Sequence, residues 1–143
     1  MKIQHADLAL VEATRPLFAE QGEAVAALFY TRLFEIAPEV RPMFPADLQE
    51  QYRKLSSTLA VAVGAMRDWE TLAPILATLA RRHLTYGVVP AHYGAVSRAL
   101  LDTLVAGGVD AATVSAWNRT MSVLTDHMIQ AAYGPDAARV AAA

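Results

Sequence analysis

Apolar side chains recur along this chain at three- and four-residue intervals, interrupted by prolines and glycines, and nowhere alternate in the two-residue rhythm of a strand. The pattern predicts an all-α fold. A first amphipathic segment covers residues 6–20, with Leu10, Leu17 and Phe18 inward, Pro16 as a kink and Gly22 as its terminator. A second covers residues 24–36 and places Tyr30, Leu33 and Phe34 on one broad face. Pro38 and Pro42 stop it and enclose a short tight segment. Pro45 and Asp47 then make a turn that starts a third helix, reaching about Met66, with Gln51, Leu55 and Leu59 on its inner face. Asp68 can cap a short helix that Pro74 should break, because proline lacks a backbone donor and pushes Ala73 towards an extended conformation. The segment after that break runs to Gly87. Pro90 opens the next helix, which ends at Gly107 and Gly108, and Asp110 caps a last one reaching about Tyr133. The core is expected over residues 7–133, and residues 134–143 are expected to fray.

Length and composition narrow the partners. The 143 residues suit one domain with a real core and leave no room for a second catalytic one. Hydrophobic residues make up 55% of the chain, high enough to suggest a helical core or a large apolar ligand inside it. A formal charge of −2 presents no basic face for nucleic acid or an anionic membrane. No apolar run approaches the roughly 20 residues of a membrane span, so the expected location is the cytoplasm. Without cysteine there are no disulfides, thiolate metal sites, iron–sulfur clusters or cysteine nucleophiles. His, Asp, Glu, Tyr and Met are left as ligands.

Two residues then stand out. Phe44 follows a Pro38-Glu-Val-Arg-Pro-Met run that would present its ring rigidly, and His83 lies inside Leu79-Ala-Arg-Arg-His-Leu-Thr-Tyr-Gly-Val88. A helical protein that holds an iron porphyrin needs an aromatic wall for the flat ring and one imidazole for the metal. Taken alone, a single helical histidine is more often a surface or core residue than a ligand. His5, His92 and His127 keep that plain reading.

Several motifs act together: Phe29-Tyr-x-x-Leu-Phe34, Pro38-Glu-Val-Arg-Pro-Met-Phe44, Gln51-x-x-Lys-Leu55, Arg81-Arg-His83, Gly87-Val-Val-Pro-Ala-His-Tyr93 and Ala116-Trp117. With these the chain resembles a single-domain bacterial globin, similar to the haem domain of flavohaemoglobins and to stand-alone bacterial haemoglobins, over residues 7–133. The resemblance implies a three-over-three helical sandwich around haem b. It matches His83 to the proximal iron ligand, Phe44 to the ring stacked on the porphyrin, Tyr30 to the distal tyrosine and Gln51 to the distal-helix glutamine. Leu33, Lys54, Leu55, Leu79, Val88 and Met121 would complete the cofactor's surroundings. Gln51 sits in a Gln-Glu-Gln run and either faces the pocket or water; Lys54 or Arg53 either reaches a haem propionate or stays solvated. In flavohaemoglobins the proximal histidine belongs to a network with a tyrosine on the next helix and a glutamate on the last. Tyr93 matches the tyrosine, but Ala132 stands at the glutamate, and Met121 replaces a tyrosine common in relatives. The expected substitute acceptor for the imidazole is a backbone carbonyl one turn back, near Leu79.

What the resemblance implies for function is reversible binding of dioxygen, and of NO and CO, by an oxygen carrier, store or scavenger. A nitric oxide dioxygenase forming nitrate is the alternative, with electrons from a separate flavin or NAD(P)H reductase, since the chain carries no Gly-rich nucleotide-binding sequence. A haem-based gas sensor is the third class. The chain is expected to work as a monomer or homodimer.

Overall fold

The structure, a computed structural model, describes residues 3–134. Six α-helices follow in order: α1 His5–Glu12, α2 Arg15–Ile36, α3 Gln49–Ala65, α4 Trp69–Thr85, α5 Pro90–Ala106 and α6 Ala111–Tyr133, with a 3-10 helix Pro38–Met43 between α2 and α3. Among the described residues there is no strand. One layer is α2, α5 and α6, packed side by side. Across it lie α1 on α6, α3 on α2 and α4 on α6. Among the described residues α4 packs chiefly on α6 and touches α3 only lightly, so the α2 and α4 sides of the molecule form separate walls. None of the described helices is long and apolar enough to cross a membrane.

The core is continuous and centred on Trp117, which is wholly buried. Phe18 meets its ring edge-on at 5.7 Å. Its indole N–H donates to the Thr14 hydroxyl at 3.1 Å, and that hydroxyl donates to the Val11 carbonyl at 2.6 Å. This relay satisfies the indole and closes the end of α1, so α6 holds the corner between the first two helices. Asp7, also buried, takes two bonds from the Arg119 guanidinium at 2.8 and 2.9 Å and ties α1 to α6 a second time.

Two expected boundaries move. The first break comes at Ala13 and Thr14, where Pro16 occupies the opening turn of α2 that proline favours, and helix then runs through Gly22 with only Gln21 outside helical geometry. Gly22 is not a terminator; it is where α3 crosses. A Cβ placed there would lie 1.8 Å from Ser56 Oγ and 2.8 Å from Ser56 Cβ, and the Ser56 hydroxyl uses that closeness to donate to the Phe18 carbonyl at 3.1 Å. Pro74, in turn, does not break α4, which is one helix from Trp69 to Thr85. Pro74 and Glu70 are both exposed, so the carbonyl that loses its helical donor faces water. The Asp68 cap is present: its carboxylate accepts from Thr71 N at 3.3 Å and Thr71 Oγ1 at 2.6 Å. Asp110 caps α6 in the same way through Thr113. Of the tail expected to fray, residues 135–143 lie outside the described residues.

A small satellite cluster of Tyr93, Ile129, Val88, Met128 and Tyr133 joins α5 and α6 below the main core. The Tyr93 hydroxyl is buried without a partner, and that burial, with Tyr133 nearby, pushes its phenol up to about 12 from the ordinary 10.0. The folded chain therefore holds this proton more tightly than the unfolded one. The Tyr93 contribution to folding stability should be level below pH 10.0 and fall as pH rises from there to about 12. Tyr93→Phe should be neutral or stabilising at neutral pH and shrink the loss seen between thermal melts at about pH 9 and about pH 11; an equal loss would contradict the assignment. At the crossing, Gly22→Ala should cost about 1–3 kcal/mol in urea unfolding, with partial recovery on adding Ser56→Gly. An unchanged midpoint would mean the two helices have room to spare.

Candidate functional site

On the α4 wall, His83 occupies the last turn of the helix and is half-buried. Gly87, at φ +89°, ends that helix: Val88 N–H donates to the His83 carbonyl at 3.2 Å and Gly87 N–H to the Leu84 carbonyl at 3.1 Å. With its own carbonyl thus occupied, His83 turns its ring back one turn, where Nδ1 lies 2.6 Å from the Leu79 carbonyl. A carbonyl can only accept. The proton of the neutral imidazole must therefore sit on Nδ1, and Nε2 carries the lone pair that a metal needs. Tyr93 lies beside the ring at 6.3 Å and Tyr86 at 6.5 Å. Leu79 and Val88 are half-buried, and the Val88 carbonyl accepts from the Tyr133 hydroxyl. Met121 is buried on α6. Ala132 brings no acceptor, and the Tyr93 hydroxyl is the group left without one.

On the opposite wall, α2 contributes Tyr30, which is 4% exposed within a nest of rings: Phe29 at 5.0 Å, Phe44 at 5.4 Å, and Phe34 and Tyr52 each at 5.9 Å. The Gln51 amide, from the first turn of α3, donates to the Tyr30 oxygen at 2.9 Å. Gln51 thus faces this nest, not bulk water. Burial raises the Tyr30 phenol above its usual range despite the Gln51 bond, so it stays protonated. Because the oxygen is the acceptor here, the phenolic hydrogen remains available to a third party. Leu33 is buried; Leu55 and Leu59 are half-buried along the inner face of α3. Lys54 is exposed, and Arg53 is drawn towards Glu50 at 3.3 Å and Glu23 at 3.9 Å.

Two of the remaining histidines have structural partners. His92 Nδ1 accepts from Val89 N–H at 3.2 Å at the start of α5, and His127 Nε2 donates to the Ala73 carbonyl at 3.1 Å beneath Trp69. His5 is exposed in the first turn of α1. Among the described residues no three His, Asp or Glu side chains gather to hold a bare metal ion. One lone-pair nitrogen on one wall, and an unspent phenolic hydrogen among aromatic and aliphatic side chains on the other, suit a flat apolar group that brings its own equatorial ligands. The donor set fits haem. Sequence reasoning passed over Tyr52, Tyr133 and Arg41. Tyr52 shares a stripe with its neighbours on α3 and could have been found by spacing. The other two act on backbone carbonyls, which leave no pattern in a sequence.

Residues 27–128 match the family model described as Globin. The flavohemoprotein of Bordetella parapertussis is 33% identical over 127 residues, which cover 85% of this chain and 32% of that protein, so the chain spans about a third of the length of the curated relatives it matches. Among solved structures, a bacterial globin from Campylobacter jejuni superposes with a TM-score of 0.79 at 23% identity, covering 96% of this chain and 97% of the other. A flavohemoglobin from Malassezia yamatoensis, determined with bound FAD and heme, gives 0.74 at 19% identity over 92% of this chain and 37% of the other. With its family model matched across most of its length and its helices superposing on those of a bacterial globin, the chain belongs to the globin family.

Proposed function

We propose that this chain is a single haem b domain that binds dioxygen reversibly, and NO and CO as well, serving as an oxygen carrier, store or scavenger in the cytoplasm. The observation that carries this reading is the state of His83: Nδ1 is committed to the Leu79 carbonyl, and Nε2 is the bare lone pair. His83 Nε2 would hold haem b through its iron, and the group would supply a metal centre able to bind a small gas. Phe44 would lie against the macrocycle, with Leu55, Leu79 and Val88 completing an apolar enclosure that keeps water away from the metal. Tyr30 would donate its unspent hydrogen to the gas ligand. Gln51 holds the Tyr30 oxygen so that the hydrogen is aimed before any ligand arrives. Lys54, on the exposed side of α3, would serve a propionate.

A second reading, nitric oxide dioxygenation to nitrate, draws on the flavohemoprotein relatives. The same pocket would serve it. Sustained turnover consumes electrons, and in this reading a separate flavin or NAD(P)H reductase would supply them.

The purified chain should take up haemin and show a CO-sensitive absorption band after reduction, and His83→Ala should abolish the five-coordinate ferrous spectrum. A colourless chain that refuses haemin overturns the proposal. Tyr30→Phe should speed oxygen release by about 10- to 100-fold, the worth of one hydrogen bond to a polarised ligand; an unchanged rate in stopped flow removes Tyr30 from the site. Mixing the oxygenated protein with NO, with and without a reductase, separates the two readings, since a carrier reacts once and an enzyme turns over.

A further inference from the structure

The segment that carries Phe44 is irregular, and it is poorly equipped to hold itself. Between the 3-10 helix, which ends at Met43, and α3, which starts at Gln49, the Phe44, Pro45 and Ala46 carbonyls accept no main-chain N–H, and Pro45 removes one amide from the same stretch. One side chain fills the deficit. Arg41 reaches forward over the residues that follow it, with Nη1 donating to the Phe44 carbonyl at 3.3 Å and the Pro45 carbonyl at 3.1 Å, and Nη2 donating to the Ala46 carbonyl at 3.3 Å. Its own carbonyl accepts the Phe44 N–H at 3.1 Å, so Phe44 is gripped at both ends of its residue.

The guanidinium also lies over the Phe34 ring, 5.1 Å from its centre, and Phe34 packs on Phe44 at 5.6 Å. Among the described residues Arg41 forms no ion pair; Glu39 leans to His92 at 3.7 Å and the Asp47 carboxylate accepts from Gln49 N–H at 3.0 Å. An arginine near carboxylates that spends its donors on three consecutive carbonyls is acting on main-chain shape. A planar fork spreads its donors over separate nitrogens, here Nη1 and Nη2, whereas all three lysine donors leave a single nitrogen.

We propose that Arg41 is a positioning residue that fixes the orientation of the Phe44 ring, and through the Tyr30–Phe44 edge contact the placement of the distal phenol. The inference rests on the haem reading above for its functional consequence and on geometry alone for its structural one. Without Arg41, the three carbonyls turn to water, the residue 44–46 segment samples other conformations, and the ring no longer presents one face.

Two measurements test it, one on the haem-free chain and one on the haemin-loaded chain. In the haem-free chain, Arg41→Ala should raise amide hydrogen exchange at Phe44, whose N–H is bonded to the Arg41 carbonyl, by about tenfold or more, leaving α5 and α6 unchanged, and Arg41→Lys should behave like Arg41→Ala. In the loaded chain, transfer of haemin to an excess of acceptor globin should quicken by about tenfold in both variants, and this gain should vanish when the same changes are made in a Phe44→Ala background. Unchanged exchange, full rescue by lysine, or an equal gain with Phe44 absent each overturns the proposal. If the chain takes no haemin, the haem reading falls, and the exchange measurement still decides Arg41 by itself.

Discussion

The distance between α2 and α3 governs the distal half of this molecule. At Gly22 and Ser56 the two helices approach so closely that no side chain fits between them, and from that pivot they run on as a hairpin joined through the 3-10 helix. Tyr30 lies eight residues beyond the pivot on α2 and Gln51 five residues before it on α3, roughly 12 and 8 Å along their axes at the rise of an α-helix. Over such spans a small opening at the crossing becomes a large displacement at the tips. The 2.9 Å bond from Gln51 to Tyr30 is therefore as much a product of a missing Cβ as of the two residues that make it. The Ser56 hydroxyl adds a restraint by bonding the Phe18 carbonyl just where Gln21 leaves helical geometry, so the kink in α2 costs no hydrogen-bond partner there.

The opposite wall is built differently. α4 leans on α6 and barely on α3, so His83 is placed by its own helix. Asp68 fixes the start of that helix, Gly87 its end, and the Leu79 carbonyl the rotation of the ring. Every one of these is a local bond within a few residues, whereas Tyr30 and Gln51 meet across 21 residues of sequence. The tautomer of His83 is thus set by α4 alone, and the geometry of the phenol by long-range packing.

That contrast explains what could be read from the sequence. Caps at Asp68 and Asp110, the stops at Gly87 and Gly107–Gly108, and the start at Pro90 are local chemistry and were legible. Gly22 was misread because a glycine that ends a helix and a glycine that lets another helix approach look identical until the second helix is placed. Pro74 was misread for a related reason: its cost depends on whether the carbonyl one turn back can reach water, and exposure is a tertiary property. Among the candidate site residues, Phe44, His83, Tyr30 and Gln51 stood out through motif and spacing. Arg41 and Tyr133 did not, since a side chain that bonds backbone carbonyls needs no particular residue as its partner and leaves no pairing to detect.

Ala132 offers no carboxylate to the proximal side from α6, and the effect is visible on α5. Tyr93 remains, buried and with its hydroxyl unpaired, beside an imidazole whose hydrogen goes to a neutral carbonyl. A carboxylate at that position would draw the Nδ1 proton and make the ring a stronger electron donor; a peptide carbonyl, carrying only a partial charge, does much less. The donor strength of His83 is then close to that of an ordinary neutral imidazole. On the distal side of the proposed haem site the Tyr30 hydrogen would stabilise charge on a bound gas, slowing its release without helping to break it apart. A strong distal donor combined with a weak proximal push favours holding a ligand over activating it, and for that reason the carrier reading is placed ahead of the enzyme one.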